Sequence, residues 1–428
     1  MNNLKKEFCS YVIPSVFSFA LTGLYCFADA FFVGNMVGEK ALAAINIIFC
    51  FLSVVIAVGS GIGMGSAVKI QIARSRNEDF SCYIASANTL LFVFSIALLI
   101  PMLLFPTEIM MFLGTSENVA KIGLSYFRIN ALGSIFQIYG CALIPICRNL
   151  GKIKASVASM VAGNVLNILL DWLFVWVFNW DMKGAAWATV IGQITGFLIC
   201  FVSMLKTGDF VLGKTGKKFF KYAREILTIG ISPFGLTVVP NISITIINRA
   251  SLSYGGETGI SAYGCISYLT YVIYLVLQGV SDGSQPLISR YYALNDHDKE
   301  LYTKKLTYRV SLYVAGAALL LYVVARKFLS TLMGAEPVTA AIIESALPVF
   351  ATGFLFVAVS RTSASNLYAC EKNIRSYIIS YAEPVFILAA VLFLAPTLKL
   401  NGVWLSSTLG QLAVMLLSIS LILQKQHQ

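Results

Sequence analysis

The sequence predicts an all-α integral membrane protein in which twelve transmembrane helices form two six-helix repeats, an N-lobe and a C-lobe, around a central cleft. Of the 428 residues, 58% are hydrophobic and only 12% are charged, proportions that lie outside the range of soluble globular proteins. About twelve apolar runs are long enough to cross a bilayer, which takes roughly 20 residues per helix. A repeat of about 219 residues relates the two halves of the chain.

The predicted spans fill nearly the whole chain, and we number them 1 to 12 in chain order. The first apolar run is too long for the apolar region of a signal peptide, and no small-residue cleavage pattern follows it. We therefore expect it to remain as the first span. The spans cover residues 10–33, 41–68, 83–104, 119–147, 155–178, 185–205, 224–250, 259–285, 306–325, 339–363, 374–395 and 402–423.

The basic residues indicate the orientation of the chain in the membrane. Most of the 31 Lys and Arg residues fall on one side if both termini lie in the cytoplasm. Cytoplasmic loops of membrane proteins are enriched in these residues. We therefore expect a multi-pass protein of the cytoplasmic membrane with both termini inside. The net charge of +11 follows from this topology, so nucleic acid is not expected as a partner.

Four pairs of short segments recur at spacings between 218 and 220 residues. Because each repeat contains an even number of spans, both repeats enter and leave the membrane on the same side. Paired repeats with a substrate site between them are an architecture of transporters. A receptor or a membrane enzyme on a duplicated scaffold is the alternative. The pairs are Pro14 with Pro233, 61–70 with 279–288, 151–156 with 371–376, and 184–193 with 402–411.

The repeat predicts an N-terminal lobe over residues 1–205, a basic cytoplasmic linker over 206–224 and a C-terminal lobe over 225–428. The linker interleaves basic and aromatic residues, which is typical of an amphipathic segment on the anionic inner leaflet. Within it, "GDFVLGKT" (208–215) matches the pattern of a phosphate-binding loop. No strand precedes this motif and no nucleotide-binding domain surrounds it, so we expect no nucleotide there.

Three acidic residues lie inside predicted spans: Asp29 in span 1, Asp171 in span 5 and Glu383 in span 11. A charged side chain in a bilayer costs about 2.5 to 3.5 kcal/mol on insertion scales, so each is a candidate functional residue. Spans 1 and 5 both run outward, and both aspartates lie in the outer half of their spans. We therefore expect Asp29 and Asp171 to meet at one depth.

Span 5 places Asn164, Asn167 and Asp171 at positions i, i+3 and i+7 on one helical face. Thr189 enters the same outer layer at the start of span 6. Carboxylate, amide and hydroxyl oxygens suit a small hard cation such as Na⁺. Two neighbouring buried carboxyl groups equally suit a site that binds and releases H⁺. A structural ion pair with Arg128 in span 4 is the alternative.

The second repeat differs at both aspartate positions. Asn248 takes the place of Asp29, and Val391 takes that of Asp171. Since valine cannot bind an ion, we expect ion coupling to be concentrated in the first repeat. Asp282, at the inner end of span 8, is expected to be exposed to solvent.

A second set of polar residues is expected along a substrate cleft. It includes the amides of Asn164 and Asn248, the aromatic ring of Tyr271 and the carboxylate of Glu383. An acidic group beside aromatic rings attracts cations, although a structural pairing of Glu383 with Arg361 is the alternative. With only two histidines and no clustered cysteines, neither zinc nor another cofactor is expected.

With these residues located, the chain resembles the multidrug and toxin extrusion (MATE) transporters over essentially its full length. The prokaryotic branch with an aspartate in the first helix is the most similar. The resemblance implies export of cationic, amphipathic or otherwise varied small organic compounds, driven by inward movement of H⁺ or Na⁺. It rests on "ADAFFVGNMVGEKALAA" (28–44), "NILLDWLFV" (167–175), "KGAAWATVIGQ" (183–193) and "QGVSDGSQPLISRYYAL" (278–294).

The resemblance also implies roles for individual residues. Four residues match the N-lobe cation site of the family. Tyr126 matches a contributor to this site from the fourth helix. Pro14 matches a proline at which the first helix bends in some relatives. The expected protein is a monomer in the lipid bilayer that carries small drugs or organic cations. The residues that match the cation site are Asp29, Asn167, Asp171 and Thr189.

Two other transporter classes share features of this chain. A major-facilitator carrier also has six plus six spans, but its 2–3 loop usually carries a Gly-x-x-x-Asp-Arg pattern that residues 69–82 lack. A flippase for lipid-linked saccharides belongs to the same wider superfamily and is the main alternative. Such flippases often line their cleft with several cations, whereas this chain has few in its spans. A membrane enzyme would need clustered catalytic groups, and none is evident.

Overall fold

Helices make up all the regular secondary structure of the described residues, which are 2–36, 39–113, 117–213, 216–333 and 336–424 of the computed structural model. In the first half they are α1 (Asn2–Met36), α2 (Glu39–Ser75), α3 (Ser81–Leu104), α4 (Pro106–Phe112), α5 (Glu117–Asn149), α6 (Ile153–Asp171) and α7 (Asp181–Lys206). In the second they are α8 (Phe219–Ala293), α9 (His297–Val324), α10 (Arg326–Leu332), α11 (Pro337–Tyr368) and α12 (Asn373–Leu423).

Two of these helices each contain two of the predicted spans. The path of α8 breaks at Gly256, where φ is 61°, and that of α12 breaks at Lys399, where φ is 54°. Ten described helices are long and apolar enough to cross a membrane, and α8 and α12 are among them. Counting both halves of each broken helix gives the twelve predicted crossings, so the predicted fold class is confirmed.

The helices extend beyond the predicted spans. α1 begins at Asn2 rather than at residue 10, and α8 begins at Phe219, inside the predicted linker 206–224. An apolar scan detects only the part of a helix that faces hydrocarbon, whereas backbone hydrogen bonding continues through polar residues at the helix ends. Lys214 and Thr215 of the phosphate-loop pattern lie outside the described residues.

The backbone repeats with the same spacing as the sequence. The short helices α4 and α10, which the apolar scan did not predict, begin at Pro106 and Arg326, 220 residues apart. Residues with left-handed backbone conformation recur in the same way at the turns between spans. These pairs are Asn77 with Asn295, Gly151 with Glu371, and Asn179 with Lys399.

Packing divides the chain into two compact units. The N-terminal unit comprises Leu21–Thr237 and Tyr292–Asn295, and its apolar core is formed largely by α2, α3, α5 and α7. The C-terminal unit contains α1 up to Ala20, Val238–Tyr291 and the chain from Asp296 onward. The first parts of α1 and α8 therefore pack with helices of the opposite repeat. The lobe boundaries inferred from the sequence repeat stay a prediction.

Candidate functional site

Helices α1 and α6 lie side by side in the N-terminal unit. The side-chain amide of Asn164 donates a hydrogen bond to the hydroxyl of Thr22 over 2.8 Å. Further along, the ring of Phe32 on α1 meets edge to face the ring of Trp176, in the helical turn that continues α6, with centroids 6.4 Å apart. Because both contacts follow in the same order along each helix, α1 and α6 run parallel.

This register places the two aspartates at one level. Asp29 follows Thr22 by seven residues, and Asp171 follows Asn164 by seven residues. Seven residues of α-helix rise by about 10.5 Å, so both carboxyl groups lie the same distance beyond the Asn164 to Thr22 bond. The charge of Asp29 acts electrostatically on Asp171. The structure thus brings together the two carboxylates that were predicted to meet.

Asp171 is fully buried, and neither of its carboxylate oxygens has a hydrogen-bond partner among the described residues. One carboxylate oxygen of Asp29 is likewise buried without a hydrogen-bond partner among the described residues. Within the described part of the chain neither carboxylate forms an ion pair, and Arg128 is exposed instead. A buried carboxylate without a partner is strongly unfavourable while it remains charged. No contact among the described residues supports the alternative of a structural ion pair with Arg128.

A close approach of α6 and α7 brings Thr189 to Asn167, one turn before Asp171. A methyl group placed on Gly192 would lie 2.8 Å from the carbonyl oxygen of Gly163, so only glycine permits this spacing. The side-chain amide of Asn167 lies 3.4 Å from the Thr189 hydroxyl, to which it donates. The Asn167 carbonyl oxygen has no partner among the described residues and remains available to a cation.

Tyr126 of α5 is a further residue that lies near the two aspartates and Thr189. It is buried, it interacts with the hydroxyl of Thr189, and the charges of Asp29 and Asp171 act on it. The side-chain amide of Asn130, one turn later, donates to the Tyr126 backbone carbonyl over 3.0 Å. We call Asp29, Tyr126, Asn167, Asp171 and Thr189 the carboxylate cluster.

The sequence interpretation missed three residues near this cluster: Thr22, Tyr25 and Asn130. The charges of Asp29 and Asp171 both act electrostatically on Tyr25. The signal for two of them was present, because Thr22, Tyr25 and Asp29 stand at i, i+3 and i+7, the spacing of the polar residues on α6. Asn130 gave no comparable signal, since its position beside Tyr126 depends on the packing of α5.

The backbone changes immediately after Asp171. α6 ends at this residue and continues as a wider π-helical turn over Trp172–Val177, in which the Phe178 N–H donates to the Leu173 carbonyl over 2.9 Å. Such turns occur often at functional sites. On α7, Gly184 packs directly against Phe174 of this turn. The sequence did not predict this local widening.

The C-terminal unit contains a separate cavity that includes two residues of the predicted substrate set, Tyr271 and Glu383. Glu383 interacts there with Ser243 and Gln411. The cavity has about 30 Å³ of space for water, enough for at least one molecule. It is lined by Pro240, Ser243, Ile244, Ile247, Tyr263, Ser267, Thr270, Tyr271, Tyr274, Phe350, Glu383, Ile387, Ser407 and Gln411.

Arg361 does not pair directly with Glu383 in the described structure. Its guanidinium group donates to Gln278 over 3.1 Å and lies 5.2 Å from the ring centre of Tyr274. Gln278 in turn donates to Asp282 over 2.6 Å. Asp282 is buried, so the expectation that it is solvent-exposed was wrong. The reason is that α8 packs this face inward, which its sequence alone does not indicate.

The remaining residues of the predicted substrate set lie elsewhere. Asn248 is half-buried and does not line the cavity of Glu383. Asn164, bonded to Thr22, belongs to the N-terminal unit.

Comparison with known proteins identifies the family. The MatE family profile matches residues 14–173 and again residues 233–393. The chain belongs to the MatE family. The two matches begin 219 residues apart, the spacing of the internal repeat, so each repeat matches the family by itself.

Relatives and solved structures agree with this assignment. The "Probable multidrug resistance protein YoeA" of Bacillus subtilis is 24% identical over 75% of this chain and 72% of its own length. The "Multidrug export protein MepA" of Staphylococcus haemolyticus is 22% identical over 94% of this chain and 89% of its own. A solved outward-facing conformation of a multidrug resistance MATE family transporter of the MOP superfamily superimposes with a TM-score of 0.90. It is 18% identical, over 99% of this chain and 97% of that chain, and shows the same fold.

These findings confirm the family resemblance, the helical membrane fold and the expectation of a MATE transporter rather than an enzyme. The chain is a multi-pass membrane protein of an ion-coupled antiporter family. Its place in the branch with an aspartate in the first helix stays a prediction, as do the roles of individual site residues.

Proposed function

We propose that this MatE protein is a secondary active exporter of cationic or amphipathic small molecules. It would work by alternating access, and inward flow of H⁺ or Na⁺ would drive it. The carboxylate cluster carries the proposal, because Asp29 and Asp171 lie at one level with Asp171 buried and without a partner among the described residues. The names of the relatives YoeA and MepA, both multidrug proteins, support the class of cargo.

The cluster has the chemistry that ion coupling requires. A carboxylate buried beside another carboxylate is unfavourable until a cation or a proton neutralises one of them. Asn167 offers a free side-chain carbonyl oxygen, and Thr189 and Tyr126 add hydroxyl oxygens. Together with the two carboxylates, a bound Na⁺ would meet oxygen ligands from the four helices α1, α5, α6 and α7. A proton on either carboxyl group would relieve the same repulsion without further ligands.

We assign the cargo side to the cavity around Glu383 and Tyr271, which has room only for water in this structure and would have to widen to admit an organic cation. One carboxylate surrounded by tyrosine rings attracts an organic cation through charge and through the ring faces. Asn164 and Asn248 remain candidate polar groups of the substrate path. We place both termini in the cytoplasm, with residues 1–205 and 225–428 as the moving lobes, 206–224 as their linker and one copy as the working unit.

The proposal is tested in proteoliposomes that hold the purified chain. Ethidium efflux is measured under an imposed pH gradient or an imposed Na⁺ gradient, each alone. We expect efflux under one of the two gradients and its loss in Asp171→Asn. Asp181→Asn, the same chemical change at an exposed position on the outer end of α7, is the matched control and should keep wild-type efflux. Absence of efflux under both gradients would refute the proposal for this cargo.

A further inference from the structure

The first helices of the two repeats carry a glutamate at equivalent positions near their inner ends. Glu7 of α1 and Glu225 of α8 are 218 residues apart, the spacing of the repeat. Neither residue belongs to the carboxylate cluster or to the cavity of Glu383. Both carboxylates are nevertheless partnered, and in each case the partners come from the opposite repeat.

Glu7 is held by the end of α8. Its carboxylate forms an ion pair with Arg290, and the hydroxyl of Tyr291 donates to it over 3.2 Å. The Arg290 guanidinium also donates to the Tyr11 hydroxyl over 3.3 Å, one turn further along α1. We call Glu7, Tyr11, Arg290 and Tyr291 the first clamp.

Glu225 is held in the same manner by α2 and α3. The ammonium group of Lys69 lies 3.2 Å from its carboxylate, and the Tyr83 hydroxyl donates to it over 2.6 Å. The ring of Tyr83 meets that of Tyr222 edge to face with centroids 4.9 Å apart. We call Lys69, Tyr83, Tyr222 and Glu225 the second clamp. Each clamp thus combines a glutamate, a cation and a tyrosine hydroxyl.

Glycines on the partner helices let the backbones approach closely beside both clamps. In α2, a methyl group on Gly65 would lie 2.2 Å from the Ile226 carbonyl oxygen of α8. In α8, a methyl group on Gly283 would lie 2.8 Å from the Val12 α-carbon of α1. Gly65 and Gly283 are themselves a pair in the sequence repeat. The repeated glycines therefore serve close helix packing, as their spacing predicts.

We propose that the two clamps together hold the cytoplasmic ends of the two repeats in contact and that they open at the same time. We call the two clamps the paired lock. This inference rests on the proposed exporter, in which the two lobes separate on that side to admit cargo. A lobe movement of this kind pulls Glu7 away from Arg290 and Glu225 away from Lys69 at the same time. Both pairs are partly buried, with side chains between 17% and 33% exposed, so solvent does not replace these contacts freely.

The test measures how fast a cysteine beside the second clamp becomes accessible. Cys82 is half-buried and precedes Tyr83 of that clamp. In nanodiscs, a chain that retains only this cysteine is labelled with a maleimide. Glu225→Gln should speed labelling locally. The decisive variant is Glu7→Gln, which lies in the other unit and should also speed labelling at Cys82, by about twofold to fivefold for loss of one partly exposed pair.

Three comparisons separate the possible outcomes. Lys299→Gln removes an exposed ion pair with Asp296 and should leave the rate unchanged. The charge-swapped pair Glu7→Arg with Arg290→Glu should return the rate toward wild type, which a simple folding defect would not do. An unchanged Cys82 rate in folded Glu7→Gln would overturn the paired lock. Labelling needs no transport, so a chain that labels as expected but exports no ethidium would refute only the proposed cargo.

Discussion

Two pairs of helices, α6 with α7 in the first repeat and the two halves of α12 in the second, have the same close approach but different chemistry. Gly192 of α7 packs against Asn167, and the equivalent Gly410 packs against Ile387. The repeat pairs Asn167 with Ile387 and Asp171 with Val391. Close helix packing therefore requires the small residue in both repeats, whereas the fold does not require a polar group beside it.

The acidic residues of the two helix pairs occupy different positions of the repeat. Glu383 occupies the repeat position of Gly163, eight residues before the position that Asp171 occupies in its own repeat. Eight helical residues correspond to about 12 Å. Each of these two helix pairs thus carries a carboxyl group at a repeat position where the other has none. This difference is the basis for assigning ion coupling to the first repeat and cargo binding to the second.

Neutralising Asp29 in the first repeat should reduce efflux more than any other change considered. Asp29→Asn removes one of the two charges at the common level, so we expect gradient-driven ethidium efflux to fall at least about tenfold, since loss of a coupling charge worth 1.4 kcal/mol or more has that effect. Detergent-solubilised protein should remain folded, as judged by its Tm. The equivalent change in the second repeat is not possible because Asn248 is already neutral. Efflux with unchanged ion dependence would contradict the assignment.

Transferring the charge to the second repeat should destabilise it. Val391→Asp places a carboxyl group where Ile387, rather than an amide, stands one turn away. We expect a loss of roughly 2.5 to 3.5 kcal/mol, the insertion cost of a charge at the centre of a span. Thermal unfolding in detergent measures the change, with Val391→Ala as the control for lost volume. A stable aspartate variant would show that the second repeat also accepts a charge there.

The glycines provide a comparison of packing alone. Gly192→Ala and Gly410→Ala should each cost about 1 to 3 kcal/mol in stability, the usual penalty for overpacking. Only Gly192→Ala should also change the ion concentration for half-maximal efflux, because it moves Asn167 away from Thr189. Flux titrations on both variants measure this difference. Equal shifts in the two variants would remove the functional distinction between the repeats.

The cargo assignment predicts a smaller and different change. Glu383→Gln keeps the hydrogen bonds of the side chain but removes its charge, so the KM for ethidium should rise by about fivefold to thirtyfold for a cation contact worth 1 to 2 kcal/mol. The ion dependence of efflux should stay as in wild type. Concentration series under a fixed gradient separate the two quantities. A lost ion dependence would place Glu383 in the coupling site instead.

The smallest expected effect lies outside the membrane, at the loop that follows α7. Burial alone raises the pKa of Asp209, but hydrogen bonds from Lys152 and Thr207 outweigh it and hold the pKa below its usual value. The ion pair with Lys152, at 2.5 Å, therefore stabilises the fold above the usual aspartate pKa.

This stabilisation should disappear as the pH falls through the lowered pKa of Asp209, below about pH 4. We expect Asp209→Asn to lower the free energy of unfolding by at most about 1 kcal/mol at pH 7, since solvent still screens a partly exposed pair. The difference from wild type should vanish in acid. Tm measured between pH 3 and 7 tests this, and a difference that persists at pH 3 would assign the effect to packing.

The amino-acid sequence by itself determined the fold class, the repeat and the level of the two aspartates. Apolar length, repeat spacing and helical periodicity are properties of neighbouring residues, and they need no knowledge of what packs against a helix. The common depth of Asp29 and Asp171 follows from the same local counting. For this reason, the two carboxylates of the candidate coupling site could be placed at one level from the sequence.

Tertiary structure alone decided which groups meet across helices. It buried Asp282, directed Arg361 to Gln278, placed Tyr25 near the aspartates and Asn130 beside Tyr126, and exchanged the first parts of α1 and α8 between the repeats. Such contacts join residues far apart in the chain, and helical periodicity shows which face is polar but not which helix covers it. That information exists only in the packing, and the clamps and the carboxylate cluster both depend on it.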